Sequence, residues 1–366
     1  MKNKKRLRRQ LLILGVLVFL GIILLIVFFD KRQENRQTIG FIMSGSIDEE
    51  GWNSMHYQGM KAACEDLGVN LIVMQSVPEN QNQCGDAVRE LVNEGAGMIV
   101  LSSYNYSREV YELIREYPKI SFYGNAQEWY GDNLSCYFAR LYQARYLAGI
   151  VAGKQCENGR IGYVAAMPNF EVNRGINAFT LGVKRANPQA EVIVYWTNSW
   201  DDKEAEEKAV EALVVEEKAG LITYHQNQGY VVDAAERFQV DSIGYHEYRT
   251  GMSDHYLTAV FADWKQVYSQ LVQNYLKGQA NSNTHFWIGL QEEAVKLGAY
   301  SDLVREETKQ AVEDAKKEIL NGRDVFSGVI YDNTGKLRCE ENESMSDDSL
   351  MEHMDWYVEG VRFYED

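Results

Sequence analysis

Several aromatic and polar side chains end or follow predicted strands, which is where ligands bind in parallel sheets. Trp52 and Asn53 come soon after the strand TIGFIM, and Trp200 lies just beyond VIVYWT. A Trp exposed on a loop is costly without a partner, which favours Trp200 as a ligand wall. The other candidates at such positions are Tyr104, Tyr106, Asn125, Asn198, Asp201, His225, Gln226 and His246. Together these side chains offer ring faces and hydrogen-bonding groups, the combination found in small-molecule sites.

The candidates at the start of the chain also have purely structural interpretations. Trp52 would serve equally as a hydrophobic staple of the helix that it opens, and Asn53 is a good helix cap. Asp48 and Glu49 suit the positive end of a helix dipole as well as the amine or hydroxyl groups of a ligand. The sequence leaves both interpretations open, so all four residues stay in the candidate site.

Catalytic and metal-binding patterns are absent from the sequence. It contains no GxSxG, HExxH, Walker A or GxGxxG motif, and its six histidines show no metal-ligand spacing. Acidic pairs such as Asp201–Asp202 carry little weight in a chain with 53 carboxylates. None of the five cysteines forms a CxxC pair, and a Cys64–Cys84 disulfide stays open. We therefore expect no catalytic residues, no metal and no cofactor.

The N-terminus differs sharply in charge and hydropathy from the rest of the chain. The formal net charge is -16, yet residues 1–10 are strongly basic. An acidic surface repels phosphate backbones, so nucleic acid is not an expected partner. Residues 11–29 are uncharged and apolar, close to the roughly 20 residues that cross a bilayer. We predict a cytoplasmic segment (1–10), a transmembrane anchor (11–29) and a stalk (30–37). A cleaved signal peptide is the alternative, but no small-residue cleavage site follows.

Apolar strands alternate with amphipathic helices in two successive series after the stalk. This pattern is typical of parallel sheets that helices cover on both faces. It predicts an α/β chain with two doubly wound lobes and a ligand cleft between them. We assign residues 38–156 and about 258–286 to the first lobe. Residues 157–257 and about 287–366, including a C-terminal tail, form the second.

Three long segments resemble the basic-membrane-protein family of bacterial solute-binding proteins. They are SGSIDEEGWNSMHYQGM (44–60), IGYVAAMPNFEVNRGINAFTLGVKRANP (161–188) and VYWTNSWDDKEAEEKAVEAL (194–213). WIGLQEEAVKLGAY (287–300) and MDWYVEGV (354–361) also match, so the resemblance covers nearly all of residues 38–361. The third segment is similar to the branch of the family that binds purine nucleobases.

The resemblance implies a type I periplasmic-binding fold, with two lobes joined by three crossovers. It also implies a monomeric extracytoplasmic receptor that delivers a purine nucleobase or nucleoside to the permease and ATPase subunits of an ABC importer. Trp52 stands at the family's stacking position, and Asp48 and Glu49 match its acidic pair. His246 stands near the place of an Asp that suits ribose in several members, so a free base fits as well as a nucleoside. A membrane-anchored sensor that uses the same cleft is the alternative.

Overall fold

The structure is a computed structural model. It describes residues 37–49, 51–79, 81–125, 131–246, 254–279 and 285–365. The predicted cytoplasmic segment and anchor, residues 1–29, and most of the stalk lie outside these ranges. Within the described ranges, no helix has the length and apolar character needed to cross a membrane.

The first lobe is built on a six-stranded parallel sheet. Its strands are β1 (Thr38–Ile42), β2 (Asn70–Met74), β3 (Ala96–Leu101), β4 (Ser121–Gly124), β5 (Leu134–Ala139) and β11 (His285–Ile288). Their spatial order is β11-β5-β4-β3-β1-β2. Helices cover both faces, so the interior strand β1 is apolar after Thr38, and Ile39, Phe41 and Ile42 are fully buried.

Four helices and one 3₁₀ turn surround this first sheet. They are α1 (Trp52–Leu67), α2 (Gln83–Asn93), α3 (Tyr104–Val110), the 3₁₀ turn Leu113–Glu116 and α8 (Trp264–Leu276). Helix α1 ends at Gly68, whose positive φ of 68° closes the last turn with hydrogen bonds to the carbonyls of Cys64 and Glu65. Helix α8 packs so closely on α1 that a Cβ atom at Gly59 would lie 2.6 Å from that of Trp264.

The second lobe is built on a seven-stranded sheet. Its strands are β6 (Arg160–Ala165), β7 (Glu191–Trp196), β8 (Leu221–His225), β9 (Asp241–Tyr245), β10 (Tyr256–Ala262), β12 (Val295–Leu297) and β15 (Val361–Phe363). The spatial order is β12-β10-β9-β8-β6-β7-β15, and β12 alone runs antiparallel to its neighbour. The helices of this lobe are α4 (Leu141–Gln155), α5 (Phe170–Ala186), α6 (Lys203–Val215), α7 (Tyr230–Arg237) and α9 (Glu306–Leu320).

Two of the predicted lobe boundaries are wrong. Helix α4 was assigned to the first lobe, but it packs backbone to backbone on α5. A Cβ atom at Gly149 would lie 2.0 Å from the Phe179 carbonyl oxygen, and one at Gly182 would lie 2.0 Å from that of Tyr146. Strand β10, expected to return to the first sheet, pairs with β9. An apolar run indicates a buried strand but not the sheet that it joins.

The C-terminal segment packs along α5 and accepts hydrogen bonds from it. It contains the hairpin β13 (Ile330–Tyr331) and β14 (Leu337–Cys339), helix α10 (Asp347–Glu352) and β15. The Arg174 guanidinium donates to the Leu350 carbonyl at 2.6 Å, and the Asn177 amide donates to the Trp356 carbonyl at 2.8 Å. Buried side chains of α5 thereby donate hydrogen bonds to backbone carbonyls of the irregular C-terminal segment.

The five cysteines are structural apolar residues. Cys64, Cys84, Cys136, Cys156 and Cys339 are all buried, and the Cys64–Cys84 disulfide does not form. Burial, with a smaller contribution from the neighbouring Glu65 carboxylate, raises the pKa of the Cys64 thiol to about 12. Such a thiol stays protonated and packs like a small hydrophobic side chain.

Candidate ligand-binding site between the lobes

A cavity of about 680 Å³ lies between the carboxyl ends of the two sheets. The first lobe contributes Ser44, Trp52, Asn53, Glu79, Ser103, Tyr104, Asn105, Asn125, Tyr137 and Phe138. The second lobe contributes Pro168, Asn169, Phe170, Glu171, Trp200, His225, Asn227, Tyr245 and His246. This volume accommodates a small heterocyclic molecule.

Trp52 belongs both to the cavity wall and to the packing of the first lobe. Its indole Nε1 donates a hydrogen bond to the Ser102 carbonyl at 3.1 Å. Its ring centroid lies 4.0 Å from that of the fully buried His56, which in turn lies 3.7 Å from Trp264. The ring of His246, from the second lobe, lies edge-on to Trp52, with 6.1 Å between the two centroids. The indole is therefore held in a fixed orientation where the two lobes meet.

The polar groups of the first-lobe wall are bonded to one another. Asn53, which is 6% exposed, donates its amide to Glu49 and accepts from the Ser44 hydroxyl at 3.4 Å. Glu49 also accepts from the Ser46 backbone N–H at 3.2 Å. Glu49 thus orients the Asn53 amide from outside the cavity.

A second polar group on the same wall is centred on Glu79. Its carboxylate accepts from the Ser103 hydroxyl and, at 3.3 Å each, from the backbone N–H and the side-chain amide of Asn105. Three protein donors therefore occupy this carboxylate. Asn125, nearby, donates to the Ser102 carbonyl at 3.4 Å.

The second-lobe wall is a row of rings. The centroid of Trp200 lies 5.8 Å from that of His225, which lies 4.4 Å from Tyr245. Tyr245 lies 3.6 Å from His246. His246 adopts a left-handed backbone conformation, with φ 63°, directly after β9. His225 ends β8, Tyr245 ends β9, His246 follows β9 and Trp200 lies beyond β7. The order of these strands in the sheet therefore places the rings in a row.

The imidazoles of the second-lobe wall are uncharged near neutral pH. Burial lowers the pKa of His225 to about 4, although the Glu171 carboxylate is 3.6 Å away. Burial and the neighbouring His225 lower the pKa of His246 well below its ordinary value. The Nδ1 atoms of both rings have no hydrogen-bond partner among the described residues. The wall therefore presents neutral rings that retain hydrogen-bonding capacity.

Glu171 is an ionised carboxylate at the start of helix α5. The helix is capped by Asn169, whose side chain accepts from the Val172 N–H at 2.9 Å. Burial raises the pKa of Glu171, but its interaction with His225 and the charges of Arg174 and Arg145 outweigh burial, and the pKa falls below its ordinary value. The positive end of the helix dipole also favours the charged form.

The buried cations of the second lobe lie behind the wall. The Arg145 guanidinium carbon is 3.8 Å from the centroid of the Tyr245 ring, and Arg145 is 1% exposed. Neither Arg145 nor Arg174 lines the cavity, and no Lys or Arg is among its described lining residues. In the described ranges, no cluster of three or more His, Cys, Asp or Glu residues is arranged to hold a metal ion.

A family profile described as Bmp, ABC transporter substrate-binding protein PnrA-like, matches residues 36–326. The chain belongs to this family. The resemblance drawn from the sequence motifs is thereby confirmed. The family consists of substrate-binding proteins rather than enzymes, and the two parallel-sheet lobes confirm the predicted α/β architecture.

Individual relatives extend the match over most of the chain. A purine-binding protein of Brucella abortus (strain 2308) is 29% identical over 332 residues, covering 90% of this chain and 93% of its own. A putative ABC transporter glucose-binding protein of Haloferax volcanii is 29% identical over 325 residues, covering 88% and 79%. The crystal structure of a transcriptional activator of the comK gene from Bacillus halodurans superposes with a TM-score of 0.69. It is 21% identical and covers 78% of this chain and 98% of its own.

The structure brings many of the sequence-predicted residues of this Bmp-family chain to one cavity. The candidates that line it are Trp52, Asn53, Tyr104, Asn125, Trp200, His225 and His246. They share a position at or just beyond the carboxyl end of a strand, or at the start of the helix that follows.

Six other candidates do not line the cavity. They are Asp48, Glu49, Tyr106, Asn198, Asp201 and Gln226. Tyr106 is fully buried in the first lobe and donates its hydroxyl to the Val77 carbonyl. The buried Gln226 donates its amide to the Thr197 hydroxyl at 2.8 Å. Asp48, Asn198 and Asp201 are exposed on loops, and Glu49 supports Asn53 from behind.

The sequence predictions missed several lining residues, above all Glu171. It belongs to the segment PNFE, which follows β6 directly. The rule that selected Asn125 and His225 therefore also applies to this segment. It also applies to Asn105, which lies between the candidates Tyr104 and Tyr106. Glu79 gave no comparable signal, because its role depends on contacts between separate loops.

Proposed function

We propose that this protein captures a purine nucleobase or nucleoside between its two lobes, for delivery to an ABC importer. The observation that carries the proposal is the pair of facing walls. One holds an oriented indole, Trp52, and the other a row of neutral rings from Trp200 to His246. A flat base needs ring faces on its two sides and hydrogen-bonding groups in its plane. The purine-binding relative from Brucella supports this choice.

The charge of the cavity favours an uncharged ligand over a nucleotide. Its described lining includes the carboxylates Glu79 and Glu171 and no Lys or Arg. A phosphate group bound there would meet negative charge without a cationic clamp. A nucleobase or nucleoside carries no phosphate and meets no such barrier.

The test is calorimetric titration of residues 38–366 with adenine, adenosine, guanosine, inosine and glucose. We expect saturable binding of at least one purine and none of glucose. The glucose arm matters because the Haloferax relative is named as a putative glucose-binding protein. Binding of glucose with no purine binding would contradict the proposal, and the wall of rings would then serve a sugar.

The transport role and the membrane anchor extend the same proposal. We expect a monomeric receptor held by residues 11–29, with its N-terminus in the cytoplasm. N-terminal sequencing of the membrane-associated protein should recover the basic segment, residues 1–10. A chain that starts near residues 31–40 would show cleavage instead. Purine uptake that requires the permease and ATPase subunits separates transport from a sensor role.

A further inference from the structure

Two carboxylates line the cavity, and they differ in how many hydrogen bonds they accept from protein groups. Glu79 already accepts hydrogen bonds from Ser103 and from two groups of Asn105. The nearest cationic or imidazole group to Glu171 is the Nε2 atom of His225, at 3.6 Å, which is longer than a hydrogen bond. Glu171 retains 28% exposure of its side chain. Of the two, Glu171 therefore has more accepting capacity left for a ligand.

The neutral His225 ring directs its Nε2 side towards the Glu171 carboxylate, at 3.6 Å. The Nδ1 side of the ring faces helix α5 at Gly175, where a Cβ atom would lie 3.4 Å from Nδ1. The Nε2 side therefore faces Glu171. Because a carboxylate only accepts, the favourable tautomer carries its hydrogen on Nε2.

The surroundings keep the Glu171 carboxylate charged. Arg145 and Arg174 lie behind the wall, and both are almost completely buried. They border, with Glu171 and His225, a crevice of about 10 Å³ next to the main cavity. The two cations compensate the negative charge from the protein side, and the ligand side of the carboxylate stays open.

We propose that Glu171 selects the ligand by accepting a hydrogen bond from an amino group on the purine ring. This inference rests on the proposed function and sharpens it. An ionised carboxylate accepts and cannot donate. A ring amine satisfies it, whereas a ring carbonyl at the same position brings two acceptors together and leaves both unpaired. His225 acts as a positioning residue for this contact.

The test compares three pairs of ligands by calorimetric titration: adenine with hypoxanthine, adenosine with inosine, and guanosine with xanthosine. In each pair an amino group is replaced by a carbonyl oxygen. We expect the amino member to bind at least about fivefold more tightly in a pair that binds, from the cost of an unpaired buried acceptor. Equal affinity within every pair would overturn this inference while the proposed function stands. Binding of no purine at all would overturn both.

Two matched variants assign the selectivity to one carboxylate. Glu171→Gln should reduce the preference for the amino member to less than about twofold, because an amide both donates and accepts. Glu79→Gln should keep the preference, since protein donors already occupy that side chain. A preference that survives in Glu171→Gln would overturn the inference. Thermal melts of both variants confirm that the titrated protein is folded, and the wild-type ligand pairs decide the question independently.

Discussion

The two walls of the cavity face the same ligand space but differ in how far their polar groups are satisfied. On the first-lobe wall, Asn53 and Glu79 are held by hydrogen bonds within that lobe. On the second-lobe wall, the Nδ1 atom of His246 has no partner among the described residues, and neither has that of His225, which faces helix α5. Glu171 makes only a 3.6 Å contact with His225.

We infer from this difference that the first-lobe wall fixes the shape of the cavity and that the second-lobe wall selects the ligand. A wall whose donors and acceptors are already paired is rigid and contributes a fixed surface, because its groups gain little from a ligand. A wall with unpaired buried groups gains most when a ligand pairs them. We therefore expect first-lobe substitutions to act mainly on stability and second-lobe substitutions to act mainly on ligand choice and on pH dependence.

The largest expected effect among the cavity residues is a loss of stability in acid caused by His225. Its pKa is about 4 in the folded protein, against 6.5 ordinarily. Below pH 6.5 the unfolded chain takes up a proton that the folded chain refuses, so stability is complete above pH 6.5 and declines as pH falls towards 4. The loss is on the order of 3 kcal/mol. Urea unfolding of wild type and His225→Gln at pH 7.5, 6.0 and 4.5 measures it.

The His225→Gln protein should lose less stability over this pH range than the wild type. His56 remains in both proteins, so the difference isolates the second-lobe wall. The matched control is His353→Gln, because His353 is exposed and should leave the wild-type profile unchanged. Parallel profiles for wild type and His225→Gln would contradict the assignment of a neutral buried imidazole.

The next effect concerns the indoles, one on each wall. Trp52→Ala and Trp200→Ala should each weaken purine binding about 5- to 150-fold, if each ring supplies a stacking face. Trp52→Ala should also lower the melting temperature, because its ring packs on His56. Trp196→Ala is the control: Trp196 is half-buried in the second lobe outside the cavity. A Trp52→Ala protein with lower stability and unchanged affinity would make Trp52 purely a packing residue.

A smaller effect compares the two carboxylates of the cavity through stability. Glu79→Gln should lower the free energy of unfolding by about 1–2 kcal/mol, since an amide cannot accept from all three donors of a charged group. Glu171→Gln should lower it less, because the cost of burying the Glu171 charge offsets much of its attraction to His225, Arg174 and Arg145. Chemical denaturation of both variants measures the difference. Equal losses of unfolding free energy in the two variants would contradict the distinction between the first-lobe wall, with paired polar groups, and the second-lobe wall, with unpaired ones.

A separate pH effect, outside the cavity, concerns the second-lobe carboxylate Glu206. It is fully buried, neither oxygen has a partner among the described residues, and burial raises its pKa to about 8. Its contribution is present at low pH and is lost as pH rises through 8. Glu206→Gln should therefore be more stable than wild type by roughly 4 kcal/mol at pH 9 and about equal to it at pH 4. Exposed Glu204→Gln serves as the control, and an equal gain there would contradict the prediction.

The sequence by itself determined the architecture of the two lobes and the edge at which the site lies. Uniformly apolar strands alternating with amphipathic helices require parallel sheets covered on both faces. The carboxyl ends of such strands converge, which is why Trp200, Asn125 and His225 were found from position alone. Local pattern suffices for these features because each depends on residues close together in the chain.

Tertiary structure decided which neighbours met. Tyr104 and Tyr106 start the same helix, yet Tyr104 lines the cavity, half exposed, and Tyr106 is fully buried. Glu171 meets His225 only because β6 and β8 are adjacent in the second sheet. The order of strands and the rotation of a helix on its sheet arise from packing between distant segments. No pattern within a single segment encodes the strand order or the rotation of a helix. The second-lobe wall, with its unpaired polar groups, could therefore be recognised only in the folded chain.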